Sequence, residues 1–201
     1  MIGADRYGWN EKAARFYDRS TGRYVSRDTM RSALDEVLRV ERDTIQHVSE
    51  QLRAGQINVG QWQAQMRESI KDTHLQAEAL ARGGWDQLTS ADFGRVGAAV
   101  RRQYEYLDRF TQELRGGAPL NGAFLARARM YAMSARPFFH EEQAQLLQDS
   151  GYTEERNVLH PAEHCAECID QSAAEWVPIG TLIPIGQRTC LGNDKCSMRY
   201  R

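Results

Sequence analysis

TSADFGRVGAAVRRQYEYLDRFTQEL, Thr89 to Leu114, is the stretch that sets the fold class of this chain. Phe93, Val96, Val100, Tyr104, Leu107, Phe110 and Leu114 recur at three- and four-residue steps, a spacing that gathers apolar side chains on one face of an α-helix. Thr89 with Asp92 three residues later has the pattern of a capping box, in which two side chains satisfy backbone N–H groups left free by the first turn. Gly116, Gly117 and Pro119 end the pattern.

The same period extends on both sides. From Asp28, the residues Met30, Leu34, Val37, Leu38, Ile45, Val48 and Leu52 share one helical face, and Gly55 follows as a C-terminal cap. A second helix is predicted from about Gln61, with Trp62, Met66, Ile70 and Ala77 on its stripe and Gly83 and Gly84 at its end. The short link between the two predicts an antiparallel hairpin. A fourth helix is predicted from near Asn121 to Gln148, kinked or split by Pro137, which lacks a backbone donor and clashes with the preceding turn. The expected architecture is therefore mainly α, with an antiparallel helical bundle over residues 28–150.

Residues 1–27 mix Gly and Arg with Tyr7, Trp9, Phe16, Tyr17 and Tyr24 without a clear period. They are expected to form an extended arm that orders against a partner or folds back on the bundle. After Gly151 the helical period fades, and Pro-Ile-Gly turns stand at 178–180 and 184–186. Residues 151–201 therefore read as a small, loop-rich, zinc-ribbon-like module with too few apolar side chains to hold itself together.

All four cysteines lie in that module. Cys165 and Cys168 have the C-x2-C spacing that presents two thiolates to one tetrahedral ion, and Cys190 and Cys196 follow after 21 intervening residues. The second gap is wide, but Gly192, Asn193 and Asp194 can turn the chain back. Four thiolates would close the coordination sphere of a structural Zn2+. Disulfides are the competing reading, and either of His160 and His164 could replace Cys196 as a ligand.

A zinc deaminase is disfavoured because His160 and Glu163 are wrongly spaced and no Pro precedes Cys165. A His-Asn-His nuclease would need a further His after Asn193, and none follows. His47 and His74 read as packing or surface residues, while His140, Glu141 and Glu142 read as a polar helix face. No glycine pair continues into a phosphate-binding loop. No active site is expected, so the chain is not expected to be an enzyme.

Composition narrows the classes further. The chain has 201 residues, 41% of them apolar, and 26 basic against 27 acidic residues, so it can bury a core but lacks the basic field of a protein that coats nucleic acid. A local basic end at Arg188, Lys195, Arg199 and Arg201 leaves DNA contact as a secondary expectation. No stretch approaches the roughly 20 apolar residues of a membrane span, and the start has no signal-peptide core. Synthesis in the cytoplasm is expected.

The segments RAGQINVGQWQAQMRESIKDTHLQAEALARGGWDQLT, GRVGAAVRRQYEYLDRFTQEL and RARMYAMSARPFFH, followed by the cysteine module, resemble the tailed-phage head morphogenesis proteins. These are minor head proteins similar to the F protein of phage Mu, and the likeness covers roughly residues 50 to 201. It implies a structural virion component associated with portal and capsid proteins in a multi-copy symmetric assembly, with no catalytic residues and with the four cysteines as metal ligands. The alternative is a zinc-ribbon DNA-binding or assembly factor acting at the packaging vertex.

Overall fold

A computed structural model describes residues 3–191 and 194–201, so the turn expected at Gly192 and Asn193 lies outside the described residues. The chain is mainly helical. Helix α1 spans Arg27–Arg53 and α2 spans Val59–Arg82, joined by a five-residue link over 54–58. Ser26 caps α1 by accepting from the Thr29 N–H, and Gly55 follows its end at φ 71°. Asn58 and Gln61 form a reciprocal capping box that starts α2 two residues before the predicted point. Helix α3, Ser90–Arg115, begins at the expected Thr89 and Asp92 box.

The predicted fourth helix is split. Helix α4 runs Gly122–Met133 and α5 runs Ala135–Asp149, with the break at Ser134. Pro137 therefore falls in the first turn of α5, where its missing N–H leaves no intrahelical bond unmade.

Helix α2 packs against α1, α3 and α5, and α4 packs against α1. Trp62 of α2 is fully buried, and its Nε1 donates to the Ser49 hydroxyl at 3.0 Å, which fixes the start of α2 against the end of α1. Around it, Phe110 and Phe124 stand with ring centroids 5.5 and 5.6 Å away. Phe93, assigned to the apolar stripe of α3 by spacing, is 52% exposed. Helix α3 packs chiefly on α2, meets α4 where Phe110 lies against Phe124 and Tyr131, and reaches α5 through Arg95 and Glu142, and Phe93 falls outside the face so covered.

Of the two courses expected for the arm over residues 1–27, the described residues take the second and fold back on the helices, as a β-hairpin and not as extended chain. Strand β1, Tyr7–Asn10, pairs antiparallel with β2, Arg15–Asp18, with Trp9 opposite Phe16 and their rings 4.7 Å apart. Tyr7, Trp9 and Phe16 are buried in the common core. Arg19 clamps the hairpin to the end of α2 by donating to the Tyr7 and Gly83 carbonyls at 2.5 and 3.3 Å. Gly83 is required there: at φ 84°, a Cβ on it would come within 2.7 Å of the Trp9 backbone nitrogen. The aromatic residues of this segment thus fill a surface of their own chain, which removes the reason for a free arm.

The C-terminal residues form β3 (Glu154–Val158), α6 (Ala166–Ala173), β4 (Val177–Pro178) and β5 (Ser197–Tyr200). The antiparallel sheet has the order β4-β3-β5. Leu182 and Ile185 from the connecting loop join the main core, and Gly186 lies so close to Pro137 that a Cβ would stand 3.0 Å from the ring. Arg199 pairs with Asp28 at 3.1 Å, and Arg31 donates to the Cys196 carbonyl at 3.0 Å. The module is therefore built onto α1 and α5 rather than hung from them.

Candidate metal centre

Cys165 is the N-cap of α6, so the C-x2-C pair sits on the first turn of a helix, a short element that the sequence reading treated as loop. The Cys168 amide bonds back to the Cys165 carbonyl at 3.1 Å, and their Sγ atoms are 3.4 Å apart. Cys190 arrives on the loop after Ile185 and places its Sγ 3.6 Å from that of Cys168. Cys196, one residue before β5, faces His164, with Sγ to Nδ1 at 3.7 Å. Cys165, Cys168 and Cys190 form one mutually close group, and His164, Cys168 and Cys196 form a second, with all donor atoms of each within 4.8 Å. All four predicted cysteines converge, and Cys168 belongs to both groups. Tetrahedral bonds of about 2.3 Å to sulfur separate the sulfurs by roughly 3.8 Å, close to the spacing observed here. The cluster of Cys165, Cys168, Cys190, Cys196 and His164 can hold a metal ion.

The two flanking histidines separate clearly. His160 Nε2 is committed to the Ser197 hydroxyl at 2.8 Å and joins neither donor group. His164 Nε2 lies 2.7 Å from the His160 carbonyl, which can only accept, so this nitrogen carries the proton. That leaves the Nδ1 lone pair of His164 facing Cys196, an orientation fixed in the way that metal-bound imidazoles are fixed by their outer partners.

Charge around the thiols is set by a residue that the sequence reading misplaced. Arg188, expected at an exposed basic end, is fully buried. Its Nε donates to the Ile183 carbonyl at 3.0 Å and its Nη1 to Asn157 Oδ1 at 2.9 Å, which places Nη1 3.8 Å from Cys168 Sγ and 3.5 Å from Asp194 Oδ2. Asn157 closes the ring by donating to the Cys168 carbonyl at 3.0 Å, and Asp194 accepts from the Cys196 amide at 2.9 Å. One buried guanidinium thus faces the sulfur shared by both donor groups.

Burial raises the Cys190 thiol well above its ordinary range and pushes Cys196 up to about 12. The Cys168 backbone amide lowers the Cys165 thiol. Without a cation Cys190 and Cys196 therefore keep their protons, and metal capture would release them.

Of the other residues of the expected basic end, Arg199 pairs with Asp28 and Arg201 with Glu154 at 2.6 Å, while Lys195 is exposed. His74 is a packing residue, with Nδ1 2.8 Å from the Ile70 carbonyl and its ring against Phe138, while His47 is exposed. His140 and Glu142 are buried and not part of an open polar face. Among the described residues, no helix is long and apolar enough to cross a membrane.

Comparison of the chain with protein-family models, with characterised proteins and with solved structures found no match.

Proposed function

We propose that this chain is a structural protein of a tailed-phage virion, a minor component of the head or head-to-tail region that docks in multiple copies on portal or capsid subunits. A structural Zn2+ held by Cys165, Cys168, Cys190 and Cys196 fastens its C-terminal module. The observation that carries the zinc reading is the convergence of Cys165, Cys168 and Cys190 in one donor group and of Cys168, Cys196 and His164 in a second, joined at Cys168 beside one buried guanidinium. Soft thiolate donors favour zinc over hard cations, and a full set of four leaves no open position for catalysis. The ion would supply cross-links that a module with so few core residues lacks.

The phage assignment rests on the resemblance of residues 50 to 201 to minor head proteins. The helical body is read as an antiparallel bundle on the strength of the five-residue α1–α2 link and the Trp62 to Ser49 bond. The module is read as ribbon-like because its cysteines sit beside a small antiparallel sheet, although α6 departs from a simple ribbon. The DNA-binding alternative loses support with the burial of Arg188 and the pairing of Arg199 and Arg201.

The test is quantitative mass spectrometry of purified particles of the encoding virus. A fixed ratio to the portal protein is expected, and about one copy per portal subunit would assign the chain to the neck. Absence from particles contradicts the proposal. Cys165→Ser is expected to unfold the module and block incorporation while the helical signal in circular dichroism persists.

A further inference from the structure

The cysteine centre gathers more donors than one tetrahedral ion can take, and they differ in access. Cys165 and Cys190 are partly exposed, whereas Cys168 and Cys196 are buried. Cys168 Sγ has two close sulfur neighbours, Cys165 at 3.4 Å and Cys190 at 3.6 Å, and it belongs to both donor groups. A covalent bond to Cys168 therefore dismantles both groups at once.

Cys165 is the accessible thiol best placed to form that bond. It caps α6 with an extended backbone, φ −72° and ψ 163°, and Cys168 follows three residues later in the same first turn. A disulfide is about 2.0 Å long, so sulfurs now 3.4 Å apart have about 1.4 Å to close, which side-chain rotation within one turn supplies. Cys190 approaches Cys168 from a different segment, so a bond there would draw a loop and a helix together. A partly exposed cysteine meets outside reagents, while a buried one reacts only with its neighbours.

The frame around the sulfurs stands without the metal. Glu167 accepts from the Thr189 amide at 2.5 Å and so holds the Cys190 loop to α6. Asn157 donates to the Cys168 carbonyl at 3.0 Å, and Asp194 accepts from the Cys196 amide at 2.9 Å. None of these bonds uses a sulfur, so the site keeps its outline when the sulfurs change partners and can be refilled.

We propose that the centre is a reversible switch, exchanging its zinc for a Cys165–Cys168 disulfide on meeting an oxidised low-molecular-weight disulfide such as that of glutathione; this rests on the zinc reading above. The Cys165 sulfur attacks one sulfur of glutathione disulfide, whose S–S bond breaks to release one glutathione thiolate. Cys168 Sγ then attacks Cys165 Sγ, forming the protein disulfide and expelling the second glutathione. Both leaving thiolates take protons from water, so two cysteine sulfurs are oxidised and one glutathione disulfide is reduced to two thiols. The ion loses two of its sulfurs and departs into solution. Reduced glutathione runs the steps backwards and restores the site.

The experiment uses the full zinc-loaded chain, purified under reducing conditions, freed of reductant and treated with glutathione disulfide. Released zinc is followed with a chromogenic chelator, and cysteine pairing by alkylation and peptide mass spectrometry. One zinc released for each Cys165–Cys168 disulfide formed is expected, with Cys190 and Cys196 still open to alkylation and zinc rebound after reduction. The wild-type pairing pattern carries the test, because Cys165→Ser is itself expected to unfold the module. Zinc retained with all four cysteines unmodified, a first disulfide that leaves Cys165 or Cys168 free, or zinc that does not return on reduction overturns the exchange. A chain that carries no zinc before the oxidant is added contradicts the metal reading itself, and the exchange with it, so the two failures are distinguishable.

Discussion

Arg188→Met should damage the module more than removal of any exposed arginine, and the structure gives the size of the effect. The side chain is fully buried, bonded to the Ile183 carbonyl and Asn157, and 3.5 Å from Asp194, which is itself buried. Methionine keeps most of the volume but leaves the Asp194 carboxylate without a counter-charge. Breaking a buried pair by removing one partner costs about 3–5 kcal/mol. The positive charge beside Cys168 also disappears, and loss of an outer partner of a metal site typically lowers affinity about 10–100-fold.

Adding Asp194→Asn to Arg188→Met should recover much of the stability, because the stranded carboxylate is gone, but little of the metal affinity. The assay is thermal melting of the zinc-loaded proteins together with chelator competition, run on both single variants and the double. Equal melting temperatures for wild type and Arg188→Met, with unchanged chelator resistance, would refute the assignment of Arg188 as the charge partner of the thiolates.

Three further outcomes are expected. Glu78 carries a proton in the folded chain up to a pH of about 8, whereas an unfolded glutamate loses it near 4.5, so between those values the folded state binds more protons and stability falls as pH rises. Its contribution is roughly −1.4 kcal/mol per pH unit, so denaturant melts across pH 5 to 8 should show a shallower decline for Glu78→Gln; parallel curves would contradict this. Trp62→Ala removes a fully buried ring that touches two phenylalanines and bonds Ser49, and should cost about 3–5 kcal/mol in urea unfolding; a loss under about 1 kcal/mol would show that this junction is not a core site. His164→Ala should leave zinc content unchanged if Cys196 is the fourth ligand, whereas Cys196→Ser should lower it; the reverse pattern, read by metal analysis, would transfer the ligand role to His164.

The helices were legible because their signals are local. Thr89 with Asp92, Gly55 and Gly83 mark caps that depend on a few neighbouring residues, and Pro137 marks a break wherever the helix sits. The hairpin was not legible, because its buried side chains alternate within four-residue strands split by a charged loop, too short a run to show a period of two. Strand β3 hides for a different reason: its inward positions are Glu155 and Asn157, polar residues held by loop amides and by Arg188.

The cysteine centre was legible from spacing alone, since C-x2-C is set by local geometry. The company it keeps was not. Arg188 reads as surface charge in one dimension, and only the return of the loop after Ile185 brings it beneath Cys168. The buried cluster of Glu78, Asp92 and Glu142 with Arg82 and Arg95 is likewise assembled from α2, α3 and α5, its carboxylates 14 and 50 residues apart in the chain.

Metal analysis of the freshly purified full chain, by inductively coupled plasma mass spectrometry with native mass spectrometry of the same sample, tests the central claim most directly. One zinc per chain is expected, lost together with the module's resistance to proteolysis in the Cys168→Ser variant. A metal-free chain with a stable module, or cysteines found in disulfides, would contradict it.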